Sequence, residues 1–215
     1  MPSILCPRCG SDLLPPTLTQ HQYRCPTHGE VPGIFPAAAF VPAEVPALAR
    51  RSEVALWYPA PMPDAWTLTG MRWAQSPRGR ACAIAVAVTG RALAEGPTDV
   101  LVVAEVPGCG LGAMYAGLSE PDPGPRAFDG PAAARIHAGH RATGLWSVAT
   151  PDDRVAFVGE ADGAWLWIIG WPASAWSLVA DDLRLADGRI DDSYRRYVAG
   201  ALSPRLAVAG RGDGR

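Results

Sequence analysis

Residues 80–89 read RACAIAVAVT, and their alternation decides what kind of fold this chain can adopt. Successive side chains on a strand point to opposite faces. Cys82, Ile84, Val86 and Val88 therefore share one face, and Ala81, Ala83, Ala85 and Ala87 the other. A strand apolar on both faces belongs in the middle of a sheet. Its flat alanine face leaves room for a closely packed helix or a second sheet. Residues 100–106, VLVVAEV, read as another strand with Glu105 near its end. Trp66 and Leu68, alternating with Thr67 and Thr69, begin a third.

The strongest hairpin signal lies further along. Two apolar runs, 155–161 and 164–171, flank Asp162-Gly163. Asp-Gly between such runs predicts a type I′ turn, in which both central residues need positive φ. In the second arm Trp165, Trp167, Ile169 and Trp171 share a face, which is expected to be core. An exposed face of this kind would instead mark a protein interface or an apolar groove. A further strand is expected over 177–185, before the Asp187-Gly188 turn. Helices are few: a short one over 131–139 with Asp129 as cap candidate, another over 192–202 capped by Asp191 or Asp192, and a single turn at 112–118. The expected class is α+β, with a small N-terminal zinc ribbon followed by a mainly antiparallel β-sheet domain with few short helices.

The ribbon is read from two knuckles, Cys6-Pro7-Arg8-Cys9 and Cys25-Pro26-Thr27-His28. A two-residue gap lets one tight turn present both side chains to a single ion, and zinc takes four such ligands in a tetrahedron. Gly10 and Gly29 directly after the knuckles supply permissive backbone. One structural zinc held by Cys6, Cys9, Cys25 and His28 is therefore expected. His21 is the alternative fourth ligand, but it fits no knuckle. A redox Cys6–Cys9 pair would leave Cys25 and His28 unexplained. Three thiolates and an imidazole also fill the tetrahedron, which leaves no position for a catalytic water.

Around this module the expected organisation is a ribbon over 1–34, a Pro/Ala-rich extended connector over 35–52, a β-rich α+β domain over 53–208, and a disordered Gly/Arg-rich tail over 209–215. The whole chain has 215 residues, 48% of them hydrophobic and 19% charged, so a real core can be buried. A formal net charge of −2 gives no global attraction for phosphate backbones or anionic lipid. All 19 basic residues are arginine. Without lysine there is no Walker A site, no Schiff base and no pyridoxal-phosphate site. Without asparagine there is no N-glycosylation sequon. The start, where Leu5 runs straight into Cys6, does not read as a secretion signal. The apolar run 164–171 is shorter than the about 20 residues that span a bilayer. A cytoplasmic location is expected, and cysteines there point to metal binding or buried thiols.

Other candidate chemistry is sparse. Gly108-Cys109-Gly110-Leu111-Gly112 follows a strand and could cradle a phosphate, but its spacing is not G-x-G-x-x-G. A loop needing positive φ is the simpler reading. A cradle would need a converging arginine, and Arg126, Arg135 and Arg141 are the nearest in sequence. His137 and His140 lack a carboxylate beside them, so solvated or capping roles are expected. Asp152-Asp153, Asp181-Asp182 and Asp191-Asp192 read as turn and cap residues. Cys82 is expected to be a buried inert thiol, and Cys109 is the one candidate nucleophile. Within residues 1–40, Arg8 and Arg24 balance Asp12 and Glu30, so no nucleic-acid footprint is present.

These features carry a resemblance. It rests on the Cys-Pro-Arg-Cys-Gly start and the Cys-x-x-His-Gly second knuckle, on residues 57–63 with Trp66 and Thr69-Gly70, and on Gly110-Leu111-Gly112 with Tyr115-Ala116-Gly117. Pro151-Asp152-Asp153-Arg154, Trp165-Leu166-Trp167 and residues 200–206 extend it over nearly the whole chain. The chain resembles a family of uncharacterised zinc-ribbon-containing proteins of GC-rich Gram-positive bacteria, a domain of unknown function. Some of its members carry a phosphotransacetylase label. The resemblance implies membership, implies no activity, and carries over no catalytic residue. The expected function is non-catalytic: a binding or assembly module with a protein partner, no nucleic acid and no membrane insertion, a homo-oligomer staying open. The alternative is an enzyme or a binder of a small phosphate-containing ligand that uses the 108–112 loop.

Overall fold

The computed structural model describes residues 3–92, 96–176 and 183–207. Its N-terminal ribbon carries a two-stranded antiparallel hairpin, β1 (Tyr23–Cys25) and β2 (Gly29–Val31). The rest is one long sheet. In chain order its strands are β3 (Gly33–Ile34), β4 (Trp57–Pro59), β5 (Thr67–Gln75), β6 (Ala81–Ala92), β7 (Gly96–Glu105), β8 (Ala134–Ala138), β9 (Arg141–Val148), β10 (Val155–Ala161), β11 (Ala164–Trp171) and β12 (Arg184–Asp187). They lie side by side as β3-β5-β6-β7-β11-β10-β9-β8-β12-β4. Every pairing is antiparallel except β12 with β8. Two short α-helices accompany the sheet, α1 (Val45–Ala49) and α2 (Leu111–Ala116). The class is the expected one, mostly antiparallel sheet with few short helices. Among the described residues no helix is long and apolar enough to cross a membrane.

The central strands are buried on both faces, as their sequence requires. Ile84, Val86, Val88, Val102, Leu166 and Ile168 join one core with Leu56, Tyr58, Ile136, Leu145 and Leu185. Ala83, Ala85, Ala87, Val103, Trp167 and Ile169 join a second core with Leu111, Tyr115 and Leu206. Cys82 departs from the expected alternation and packs with the alanine side. The cause is a bulge: Ala74 pairs with Ala83 and Gln75 with Ala81, so Cys82 has no partner on β5 and its side chain is rotated over.

The hairpin β10–β11 has the expected boundaries, with Ala161 opposite Ala164. Asp162 and Gly163 take φ of 56° and 75°, the positive values the turn demands. The Trp face is core: Trp167 is fully buried and Trp171 nearly so. On it rests α2, the helical turn expected near 112–118. The contact is so close that a Cβ on Gly112 would lie 2.2 Å from Trp167 Cδ1.

Two expected helices are not formed. Residues 134–138 are strand β8, whose buried Ile136 and Ala138 alternate with Arg135 and His137. Pairing with β9 across the Gly139-His140 turn overrides the helical bias of the alanines. In 192–202 only a 3₁₀ turn, Ser193–Arg196, is present. Beyond it the chain runs extended along β5, with Leu68 N–H donating to Val198 O and Gly200 N–H to Leu68 O. Residues 35–52 are not a free polyproline stretch. Phe35 and Ala38 hydrogen-bond to β5, α1 follows with Pro46 in its first turn, and Phe40, Val45 and Leu48 are buried in the first core. Of the strand expected over 177–185, residues 177–182 lie outside the described residues, and β12 begins at Arg184. The tail expected over 209–215 also lies outside them.

The C-terminal segment is pinned by a buried guanidinium. Arg72, 5% exposed, donates from Nε to Phe35 O at 2.9 Å and from Nη1 to Leu206 O at 2.6 Å. Tyr115 Oη donates to the same Leu206 oxygen at 3.0 Å.

The α2–Trp167 contact sets a first expectation. Gly112→Ala should lower stability by about 1–3 kcal/mol, because the added methyl forces the helix off the indole. Urea unfolding followed by tryptophan fluorescence measures it. An unchanged midpoint would show that α2 does not rest on Trp167.

Candidate metal centre and the glycine loop

The first knuckle is a tight turn. Cys6 N–H donates to Ser11 O at 2.8 Å, and Gly10 N–H donates to Cys6 O at 2.9 Å. The second knuckle caps the β1–β2 hairpin, with Cys25 opposite Gly29 and His28 in the turn between. Mutual backbone bonds between Leu14 and Arg24 tie the two arms together. The result places Cys6, Cys9, Cys25 and His28 with one ligand atom each, all within 4.8 Å of one another. Cys9 Sγ lies 3.6 Å from Cys25 Sγ. His28 Nδ1 lies 3.6 Å from Cys6 Sγ and 3.5 Å from Cys25 Sγ. These four residues could bind a metal ion.

The surroundings suit a thiolate cluster. Arg8 N–H donates to Cys6 Sγ at 3.4 Å, and Ser11 Oγ sits 3.3 Å from Cys9 Sγ. Such bonds orient ligands and stabilise their charge. Burial pushes the Cys6 thiol up to about 12, and a cation at the centre would supply the charge that lets it ionise. His21 is exposed and stands outside the group. Among the described residues no other group of three or more Cys, His, Asp or Glu side chains is close enough to share an ion.

The remaining candidates fall into structural roles. Asp191 Oδ1 accepts from Tyr58 Oη at 2.6 Å and from Ser193 N–H at 2.8 Å, while Asp192 faces Arg195. Asp153 pairs with Arg154, whose guanidinium holds its carboxyl below the usual range. Asp181 and Asp182 lie outside the described residues. His137 is on β8 and His140 in the β8–β9 turn. Cys109 is 2% exposed. Its hydrogen bond with Cys82 and its burial hold its thiol well above the ordinary range, opposite to what a nucleophile needs.

The 108–112 loop is a turn in which the Gly108 and Leu111 amides are already engaged. Gly108 and Gly110 have φ of 82° and 91°. Gly108 N–H donates to Asp122 Oδ1 at 2.7 Å, and Leu111 N–H donates to Glu105 Oε2 at 2.6 Å. Carboxylates of the chain itself thus occupy the positions a phosphate would need. Neither Arg126, Arg135 nor Arg141 hydrogen-bonds to the loop among the described contacts. The arginine that does is Arg8, from inside the first knuckle, donating from Nη2 to Gly108 O at 2.7 Å. Sequence reasoning missed this partnership. Nothing in the spacing of Arg8, Glu105 and Asp122 points to it, although a glutamate inside VLVVAEV does signal a buried carboxylate.

Residues 2–206 match the model of a family of unknown function, DUF6758. The chain belongs to this family. No curated protein and no solved structure matches it. DUF6758 membership therefore covers ribbon and sheet alike, and the chemistry has to be read from the residues.

Two expectations follow. Cys9→Ser removes one of the four ligands and should abolish stoichiometric metal binding and the amide-exchange protection of β1 and β2, while the sheet's far-ultraviolet dichroism persists. Loss of the whole signal would show that the sheet cannot form without the ribbon. The second concerns Glu105. It is fully buried, and burial raises its carboxyl to about 7, against the opposing bonds from the Gly112 and Leu111 amides. Asp122 adds to the rise through its charge. The fold thus prefers the protonated form. The contribution to stability is complete below about 4.5 and is lost as pH climbs through about 7, on the order of 3 kcal/mol in all. Glu105→Gln should flatten that dependence and be the more stable protein at pH 8. Denaturant titrations at pH 5 and pH 8 check this, and equal pH slopes in both proteins would refute it.

Proposed function

We propose that the chain is a non-catalytic zinc-ribbon protein, a binding or assembly module whose one metal is structural. The observation that carries this reading is the closed ligand set. Zinc at about 2.3 Å from sulfur and about 2.0 Å from nitrogen, in a tetrahedron, puts neighbouring sulfurs about 3.8 Å apart and sulfur and nitrogen about 3.5 Å apart. The 3.6 Å between Cys9 and Cys25 and the 3.5 and 3.6 Å from His28 Nδ1 to its sulfur neighbours match those values. Four protein ligands leave no position for substrate. Cys6, Cys9, Cys25 and His28 would hold the ion, which would supply folding energy to the ribbon.

A protein partner is the favoured one. Arg8 and Arg24 are the only basic residues among the first forty, and Arg8 is engaged with Gly108. Leu14 and Leu18, between the knuckles, are 58% and 97% exposed and offer apolar side chains instead. The cytoplasm suits the five cysteines, none of which is in a disulfide. The engaged amides of the 108–112 loop weigh against the alternative of a phosphate-containing ligand.

Elemental analysis of the chain purified without added metal should return one zinc per chain. Calorimetric titration with nucleotides, coenzyme A and acyl phosphates should return no heat. Zero or two zincs would overturn the site, and saturable heat from any of those compounds would overturn the non-catalytic reading.

A further inference from the structure

We propose that metal occupancy of the ribbon sets the order of the 108–112 loop, and that Arg8 is the residue that transmits it. The inference rests on the reading of the ribbon as a metal site. Arg8 stands between two of the ligands, and its backbone N–H bonds the sulfur of Cys6 at 3.4 Å. Its backbone is thus part of the turn that an ion would fix. Its side chain leaves the ribbon and crosses to the far end of β7. There Nη2 donates to Gly108 O at 2.7 Å, and the stem lies so close to Gly110 that a Cβ on that glycine would meet Arg8 Cγ at 3.0 Å. Arg8 Nε is buried without a hydrogen-bond partner, so the side chain is held there by the Gly108 contact and by packing.

The receiving loop is poised to respond. Its two positive-φ glycines restrict it little, and three side chains hydrogen-bond its backbone: Arg8 on Gly108 O, Asp122 on Gly108 N–H, and Glu105 on Leu111 N–H. Asp122 Oδ1 also accepts from Trp165 Nε1 at 2.8 Å, which carries the connection onto the hairpin β10–β11. The other link from ribbon to sheet runs through backbone bonds of Leu5 with Ile34, which need no ion. A knuckle gains its order with the metal. Loss of the ion frees the Arg8 backbone and with it the guanidinium that joins the ribbon to this loop.

Amide hydrogen exchange on the full chain tests this, with zinc bound and after removal by a chelator. Exchange in the peptide covering 106–112 should quicken on the order of tenfold on removal, and that covering 134–148, in β8 and β9, should not change. Arg8→Met, still loaded with zinc, should show the loop exchanging as in the metal-free protein, and Arg8→Lys should restore part of the protection. Coupling is reciprocal, so Asp122→Ala, which touches no ligand, should weaken zinc binding by a similar factor in competition with a chromogenic chelator. A zinc-loaded loop no slower than the metal-free one overturns the proposal while leaving the metal site intact. So does uniform loosening of every peptide, or full protection in loaded Arg8→Met. A wild-type chain that takes up no zinc sinks this proposal and the metal site together.

Discussion

Strands β6, β7 and β11 are apolar on both faces, and the need to cover both faces places most of the remaining elements. On one side the sheet curls until β4 touches β7, and α1 and the 193–196 turn close the space with Val45, Leu48 and Tyr194. On the other side the alanines of β6 keep the surface flat enough for α2 and the 204–206 turn to lie directly against it. The buried polar groups follow from the same demand. Arg72 and Tyr115 hold the covering segments by their carbonyl groups, and Glu105 satisfies the first amide of α2. These bonds offset much of what the groups lose on leaving water.

What was legible in the sequence was whatever depended on local pattern. The period-2 runs gave β6, β7 and the Asp-Gly hairpin with its boundaries, and the knuckle spacing brought together four residues that could hold an ion. What was not legible depended on partners distant in the chain. Residues 134–138 have a composition that suits a helix, and only the availability of β9 and β12 makes them a strand. Residues 197–203 have no strand pattern of their own, yet they lie on β5 because its edge offers unpaired backbone groups. The bulge at Cys82 is invisible because it depends on the register with β5.

The glycine loop shows how a motif can be used up by its own fold. A glycine-rich turn after a strand presents amide donors wherever it occurs. Whether those donors serve a ligand depends on what else reaches them. Here Glu105 and Asp122 arrive first, and the arginine that completes the arrangement comes from the ribbon and binds a carbonyl. The loop is thus hydrogen-bonded to both parts of the chain.

The pairing of β4 with β12 carries a consequence for how the chain is made. Tyr58 lies opposite Ala186, so a strand synthesised in the first third of the chain waits for one in the last. The neighbouring β8–β12 pairing is parallel and likewise depends on residues past 183. On a ribosome, the β4 edge and the apolar residues beneath it stay uncovered until residues 184–187 have emerged. Such long loop closures slow folding and leave strand edges open to wrong partners meanwhile. Until residues 184–187 arrive, both β4 and β8 carry an open edge, and that short segment is the latch that closes them.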